Sequence, residues 1–255
     1  MAVELKRQDD IAVLTLNRQD ALNALNFGLV RDIGAALDEV AASDARALLI
    51  TGAGKRAFCA GADVKELSGH TLFAQKRGLE FGQEVFSKLD TLPIPSVALI
   101  NGYAFGGGLE LALACTFRLA TANAKLGLPE IKLGLIPGYG GTQRLTRAIG
   151  AGRALELIMT GRQVDCMEAF SLGLVNRVIE GDPMEAATAF VREFSGHGIP
   201  ALWLARQAVL RSQDATLHDG LKIESDLAAI ALTTFDAKEG MAAFIEKRTP
   251  NFRDQ

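Results

Sequence analysis

Residues 101–110 read Asn101, Gly102, Tyr103, Ala104, Phe105, Gly106, Gly107, Gly108, Leu109, Glu110, so three consecutive glycines run straight into a carboxylate and an apolar stretch. Twenty positions on, Pro129 and Glu130 repeat the theme of a turn-forming residue followed by a carboxylate. Glycine lets the backbone come close to a ligand and turn its N–H groups outward. A helix starting there adds positive potential. Such a place can hold an anion or a developing oxyanion. Glu110 stands among Gly108, Leu109, Leu111 and Ala112, and Glu130 between Pro129 and Ile131, so both carboxylates are expected to be substantially buried. A buried carboxylate needs partners or a raised pKa. Two facing one pocket can divide acid and base duties. The plainer alternative for Glu110 is a helix-start glutamate paired with a nearby arginine.

A second glycine turn, Phe58-Cys59-Ala60-Gly61-Ala62-Asp63, leads into an expected helix beginning near Asp63. Aspartate is a strong helix cap, and a capped helix start still leaves N–H groups free. Backbone donors near Ala62 and Gly107 could therefore form an oxyanion hole. Other motifs fail their tests. The glycines at 102 and 106–108 lack dinucleotide spacing, and Gly52, Gly54, Lys55 and Arg56 lack that of a P-loop. There is no GxSxG, no HExxH and no Cys/His cluster. Metal and serine-hydrolase chemistry are not expected.

The elements that must position these residues follow from patterning. Val3–Arg7 and Ile11–Leu16 read as a hairpin turning at Asp9 and Asp10. Phe27–Ala42 reads as an amphipathic helix with Leu29, Ile33, Leu37 and Val40 on one face. Short strands are expected at Ala47–Thr51, Val97–Ile100, Phe117–Ala120 and Val175–Ile179. Helices are expected at Gly108–Ala114, Gly140–Ala148, Arg153–Met159 and Pro183–Phe194. After Gly196 only helix is read: Pro200–Ser212, Leu217–Thr234 and Ala237–Glu246. Three such helices cannot readily bury their apolar faces alone and need a core or another subunit.

The chain has 255 residues, 49% hydrophobic, enough for a large core and inconsistent with wholesale disorder. Its formal net charge of −3 offers nothing global to nucleic acid or an anionic membrane. Cys59, Cys115 and Cys166 are isolated and odd in number, which fits a reduced, cytoplasmic setting. His70, His197 and His218 are scattered. The first ten residues, MAVELKRQDD, carry no apolar signal core. Ser96 to Phe117 holds a single charge, Glu110, over 22 residues. Asn101 and four glycines nevertheless argue for strand, turn and buried helix rather than a membrane span.

Five segments taken in order resemble the crotonase (enoyl-CoA hydratase/isomerase) superfamily, and its enoyl-CoA hydratases in particular. They are NRQDALNAL (Asn17–Leu25), FCAGADVKEL (Phe58–Leu67), INGYAFGGGLELALACTFRLA (Ile100–Ala120), LGLPEIKLGLIPGYGGTQRL (Leu126–Leu145) and FIEKRTPNF (Phe244–Phe252). The resemblance implies an α/β fold, a spiral of ββα units over residues 1–196. It also implies a helical C-terminal oligomerisation region, residues 197–255, building a trimer or hexamer. Ala62 and Gly107 then match the oxyanion-hole donors. Glu110 matches the glutamate that deprotonates the attacking water, Glu130 the one that delivers a proton, and Gly138 a water-positioning N–H. Ala60, with Gly61 and Asp63 beside it, falls in the CoA-binding segment. Lys247 matches a lysine reaching the CoA phosphates from a neighbouring subunit; by itself it would be an ordinary solvated lysine. No cofactor is implied, since CoA arrives with the substrate.

Gln19 stands where the family usually has proline. Tyr139 stands where a small residue is common, so it would narrow the acyl pocket. Residues 68–90 fall in the segment that shapes the acyl tunnel, so chain-length preference is left open. The alternatives are a Δ3,Δ2-enoyl-CoA isomerase, which needs only the glutamate at Glu130, and an RNA-binding relative with a lysine-rich N-terminal helix. Against the latter, Phe27–Ala42 holds only Arg31, offset by Asp32, Asp38 and Glu39.

Overall fold

A computed structural model describes residues 2–66 and 68–255. They divide into two compact units, one ending at Ala189 and one running from Phe190 to Gln255.

The first unit is built on a repeat. β1 (Val3–Gln8) and β2 (Ile11–Leu16) form the antiparallel hairpin, with Asp9 at its turn in the left-handed region (φ 55°). α1 (Phe27–Ala41) follows, capped by Asn26, whose side chain accepts the Leu29 N–H at 2.7 Å. Then strands come in pairs: β3 (Ala47–Gly52) with β4 (Ala57–Cys59), β5 (Ser96–Ile100) with β6 (Tyr103–Phe105), and β7 (Phe117–Thr121) with β8 (Lys125–Gly127). The first strand of each pair joins one sheet and the second joins the other. The larger sheet has the order β1-β2-β3-β5-β7-β10, ending on β10 (Arg177–Ile179). The smaller has β4-β6-β8-β9, ending on β9 (Val164–Asp165). After each pair comes helical chain. α2 (Leu72–Thr91) follows the first and α3 (Gly107–Ala114) the second. A 3-10 turn (Pro129–Leu133) leading toward α4 (Gly141–Ile149) follows the third. This is the ββα spiral implied by the resemblance.

Two strands that lie between others in the larger sheet, β3 and β5, are buried at every position. That is the pattern of a parallel sheet covered on both sides. The corners between paired strands are held by asparagine. Asn101 donates to the carbonyls of Gly52 (2.7 Å) and Gly54 (2.9 Å), tying two successive corners together. Asn23, 1% exposed, donates to the carbonyls of Ala57 (2.9 Å) and Ala53 (3.1 Å) and so pins the chain before α1 to β4.

One expectation changes. No α-helix starts at Asp63. A single 3-10 turn (Val64–Glu66) occupies that place, and α2 starts at Leu72 with Thr71 as its cap. Asp63 has one carboxylate oxygen on the Lys65 N–H at 3.3 Å and the other on Arg18, which leaves no continuing helix for it to cap. The stretch from Ser96 to Phe117 is strand, strand and helix, and among the described residues no helix is long and apolar enough to cross a membrane. The remaining helices of this unit are α5 (Ala151–Thr160), α6 (Cys166–Ser171) and α7 (Pro183–Ser195), the last containing the boundary between the units.

In the second unit α8 (Ile199–Arg211) packs on α9 (Leu217–Thr233), and α9 on α10 (Phe235–Glu246). Asp236, 4% exposed, anchors the C-terminal segment by accepting the N–H groups of Arg253 (2.7 Å) and Asp254 (2.9 Å). Ile223, Leu227 and Ile230 stand at helical spacing along α9, yet no residue of α9 is buried within the single chain.

Close packing around α3 gives a test of the spiral. A Cβ on Gly108 would overlap the Cys59 carbonyl, backbone that cannot yield, whereas one on Gly152 in α5 meets nothing. Gly108→Ala is expected to lower stability by at least about 3 kcal/mol or prevent folding. Gly152→Ala is expected to be neutral or to gain up to about 1 kcal/mol. Urea denaturation of both variants checks this, and a Gly108→Ala protein as stable as its parent refutes the close approach of α3 to β4.

Candidate active site

The site lies where the second and third ββα units meet the segment after β4. A cavity of about 420 Å³ is lined by Ala60, Gly61, Ala62, Gly107, Glu110, Glu130, Gly138 and Tyr139, together with an apolar wall that includes Leu79, Leu133 and Ile136. Eight residues singled out from the sequence thus share one cavity. Asp63 does not line it; its carboxylate pairs with Arg18 at 3.1 Å, which holds its pKa below the ordinary value. Lys247 does not line it either. It is exposed in the second unit at the end of α10, in the left-handed conformation (φ 56°).

Two backbone donors come together first. Leu25 forms a parallel bridge with Ala62: the Leu25 N–H donates to the Gly61 carbonyl and the Asp63 N–H to the Leu25 carbonyl, both at 2.7 Å. Those bonds use the groups on either side of Ala62 and leave the Ala62 N–H pointing away from Leu25. Gly107 is the first residue of α3, whose opening N–H groups have no acceptor within the helix. The Ala62 nitrogen is 3.6 Å from where a Cβ on Gly107 would stand, so the two are neighbours. Neither N–H has an acceptor among the described residues. Two unspent donors, one of them at a helix N-terminus, can make a pocket for negative charge.

The carboxylates have different surroundings. Glu110, on the first turn of α3, is 2% exposed. Its Oε1 accepts the N–H groups of Tyr139 (2.8 Å) and Gly141 (2.7 Å). The arginine partner that a helix-start glutamate could take is not there: the neighbouring Arg144 is spent on a two-pronged pair with Asp90, at 2.8 and 2.6 Å. Burial, with the Glu130 charge adding to it, pushes the Glu110 carboxyl up to about 7 against the two N–H bonds that favour its charge. Its Oε2 carries no hydrogen bond from the described residues. Glu130 sits at the start of the 3-10 turn, and its Oε1 is 2.8 Å from where a Cβ on Gly106 would stand. Gly106 itself has φ 49°, a conformation that side chains rarely take. Glu130 Oε2 is buried with no hydrogen-bond partner, and burial raises this pKa as well. Burial thus makes both carboxyls easier to protonate than a free glutamate.

The sequence did not reveal the Tyr139 and Gly141 N–H groups as the holders of Glu110, nor Asn23 and Leu25 as the holders of the Ala62 segment. Main-chain donors carry no residue signature. The one visible signal was Asn23–Leu25 recurring inside a family segment. Among the described residues no group of three His, Cys, Asp or Glu could hold a metal ion.

Residues 6–255 match the enoyl-CoA hydratase/isomerase family. A probable enoyl-CoA hydratase of Mycobacterium tuberculosis is 44% identical over 97% of this chain and 96% of its own. A short-chain-enoyl-CoA hydratase of Clostridium acetobutylicum is 39% identical over 96% of this chain and 95% of its own. The crystal structure of an enoyl-CoA hydratase from Bacillus anthracis superimposes with a TM-score of 0.95 at 38% identity, covering all of both chains. The chain belongs to the enoyl-CoA hydratase/isomerase family, has its crotonase-like fold, and is an enzyme of that family.

The raised Glu110 pKa has a consequence for stability. Between pH 4.5 and about 7 the folded protein holds this proton more tightly than the unfolded chain does, so stability falls as pH rises through that window. Glu110→Gln keeps an oxygen for the two N–H donors and removes the charge. Its melting temperature is expected to exceed that of the parent at pH 8, by an amount corresponding to up to about 3 kcal/mol. The difference is expected to shrink toward zero by pH 4.5. Thermal unfolding across that range checks it, and a variant less stable than the parent at pH 8 contradicts the burial penalty.

Proposed function

We propose that this enzyme adds water across the trans-2 double bond of an enoyl-CoA thioester to give a 3-hydroxyacyl-CoA. The observation that carries the reading is the pairing of two differently held carboxylates with two unspent backbone donors in one cavity. Water adds at C3 of a double bond conjugated with a thioester, and negative charge grows on the thioester oxygen. In this reading the Ala62 and Gly107 N–H groups receive that oxygen, each worth about 3–4 kcal/mol to the transition state. Glu110 is the base. Its Oε1 is fixed by two N–H groups, and its Oε2 is left to take a proton from the water as the water oxygen bonds to C3. Glu130, whose pKa burial raises, is in this reading the acid that protonates C2. One water is consumed; proton transfer from Glu110 back to Glu130 resets the pair. In this reading the Gly138 N–H, beside Tyr139 in the cavity wall, helps hold the water. No cofactor enters, because CoA is part of the substrate.

Ala60 and Gly61, with Asp63 fixing their turn through Arg18, would receive the pantetheine and adenine end. Lys247 would reach the CoA phosphates of a neighbouring subunit. The second unit supports assembly: Leu217 (80%), Phe244 (85%) and Ile245 (78%) are exposed in the single chain. The expected particle is a trimer or hexamer. The three cysteines are free and buried, consistent with a reducing, cytoplasmic setting.

The hydratase and isomerase readings separate on the glutamates. Glu110→Gln and Glu130→Gln are each expected to lower hydration of crotonyl-CoA by about 10²–10⁴-fold. Moving a double bond requires one proton removed and returned, so Glu130→Gln is expected to abolish any conversion of trans-3-hexenoyl-CoA, while Glu110→Gln spares it more than hydration. Rates follow from the conjugated-thioester absorbance, with products identified by chromatography. A parent enzyme that isomerises the 3-enoyl substrate faster than it hydrates the 2-enoyl one is an isomerase.

Assembly is checked by light scattering at micromolar concentration. A particle of three or six times the 27.2 kDa chain is expected. A fully active monomer would remove the proposed role of the second unit and of Lys247 across subunits.

A further inference from the structure

The cavity is open at one end and closed at the other. Its open rim is apolar and exposed: Val64 is 56%, Leu133 60% and Ile136 70% accessible. At the closed end are Gly107, Glu110 and Tyr139, the last 7% exposed. The Tyr139 ring is fixed there from three directions. Its backbone N–H is bound to Glu110 Oε1 at 2.8 Å. One face of the ring presses on α2 at Gly82, where a Cβ would run into Cε1 and Cδ1. Phe86, one turn further along α2, meets it edge-on with ring centres 5.5 Å apart. On the other side, Cδ2 is 3.3 Å from where a Cβ on Gly107 would stand. The ring is therefore wedged between the start of α3 and the middle of α2, and the missing side chain at Gly82 is what makes room for it.

We propose that the Tyr139 ring is the end wall of the acyl pocket and restricts the enzyme to short-chain 2-enoyl thioesters, an inference that rests on the hydratase reading above. With the thioester oxygen at the Ala62 and Gly107 donors and C3 at Glu110, the chain beyond C3 leaves the reaction centre beside this ring. A crotonyl methyl group ends there. A longer chain has to displace a ring held by the same residue that holds the base, or fold back toward the rim. Behind the ring the surfaces are apolar, Phe86 and the α2 backbone at Gly82, so removing it opens space that methylenes can fill. Each methylene buried there is worth about fourfold in kcat/KM.

The test measures kcat/KM of the parent and of Tyr139→Phe and Tyr139→Ala on crotonyl-, hexenoyl- and decenoyl-CoA. The parent is expected to favour crotonyl-CoA. Tyr139→Phe, which keeps the ring, is expected to retain that ratio. Tyr139→Ala is expected to shift the decenoyl-to-crotonyl ratio upward by roughly 10–100-fold. If Tyr139→Ala does not fold, Tyr139→Leu replaces it and the same ratio decides. A parent whose kcat/KM rises from crotonyl- to decenoyl-CoA overturns the end-wall role while leaving the hydratase reading intact. An unchanged ratio in the ring-deleted variant does the same. No hydration of any of the three substrates by the parent overturns the hydratase reading and this proposal with it.

Discussion

A carboxylate buried with no cation beside it is the constraint around which the catalytic half of this fold is arranged. Glu110 is withdrawn from solvent, and the nearest arginine is committed to Asp90. Burying such a group is costly unless its oxygens find donors. The donors found are main-chain N–H groups of Tyr139 and Gly141, from the loop that enters α4. The bond works in both directions. It makes the charge tolerable near neutral pH, and it fixes the loop that carries Gly138 and Tyr139 against the start of α3. An arginine in place of those N–H groups would stabilise the charge further and pull the pKa well below neutrality. That would leave a weak base. Backbone donors stop partway, and with burial opposing them the carboxyl is pushed up to about 7, a value that suits the base role proposed for it.

The same economy of side chains appears at the two unspent backbone donors of the cavity. They belong to Ala62 and Gly107, and what matters is where the backbone runs. Leu25 uses up the hydrogen-bonding groups flanking Ala62, so that only the Ala62 N–H is left over. Helix geometry leaves Gly107 with a spare N–H for a different reason. Bringing the two segments together needs α3 to lie almost on the backbone of β4, which glycine at 108 permits. Asn23 and Asn101 then hold the corners on which both segments depend.

These features were unequally legible in the sequence. The long strands of the larger sheet and most helices could be read because five or more apolar residues, or a clear helical face, give periodicity something to act on. The smaller sheet could not: β4, β6 and β8 are three residues each and β9 two, too short for alternation to register. α2 was missed because its buried residues, Gly82, Val85, Phe86 and Leu89, all lie in its second half, while Leu72 and Phe73 at its start are exposed. At the site, the glutamates and glycines were visible as residue types. The N–H groups that hold Glu110 were not, because any residue but proline supplies one.

Two glutamates in one cavity would be redundant if their surroundings were alike. Proximity alone opposes ionising both, since each charge raises the pKa of the other. What distinguishes them is the hydrogen bonding. Glu110 has two backbone donors on one oxygen, which oppose the upward push of its burial and of the Glu130 charge. Glu130 has an oxygen buried with no partner, and burial raises its pKa as well. That is an asymmetry the proposed addition of water can use. It arises from the difference between a loop that turns its N–H groups inward at residues 139–141 and a 3-10 turn at Pro129–Leu133 that offers Glu130 Oε2 none.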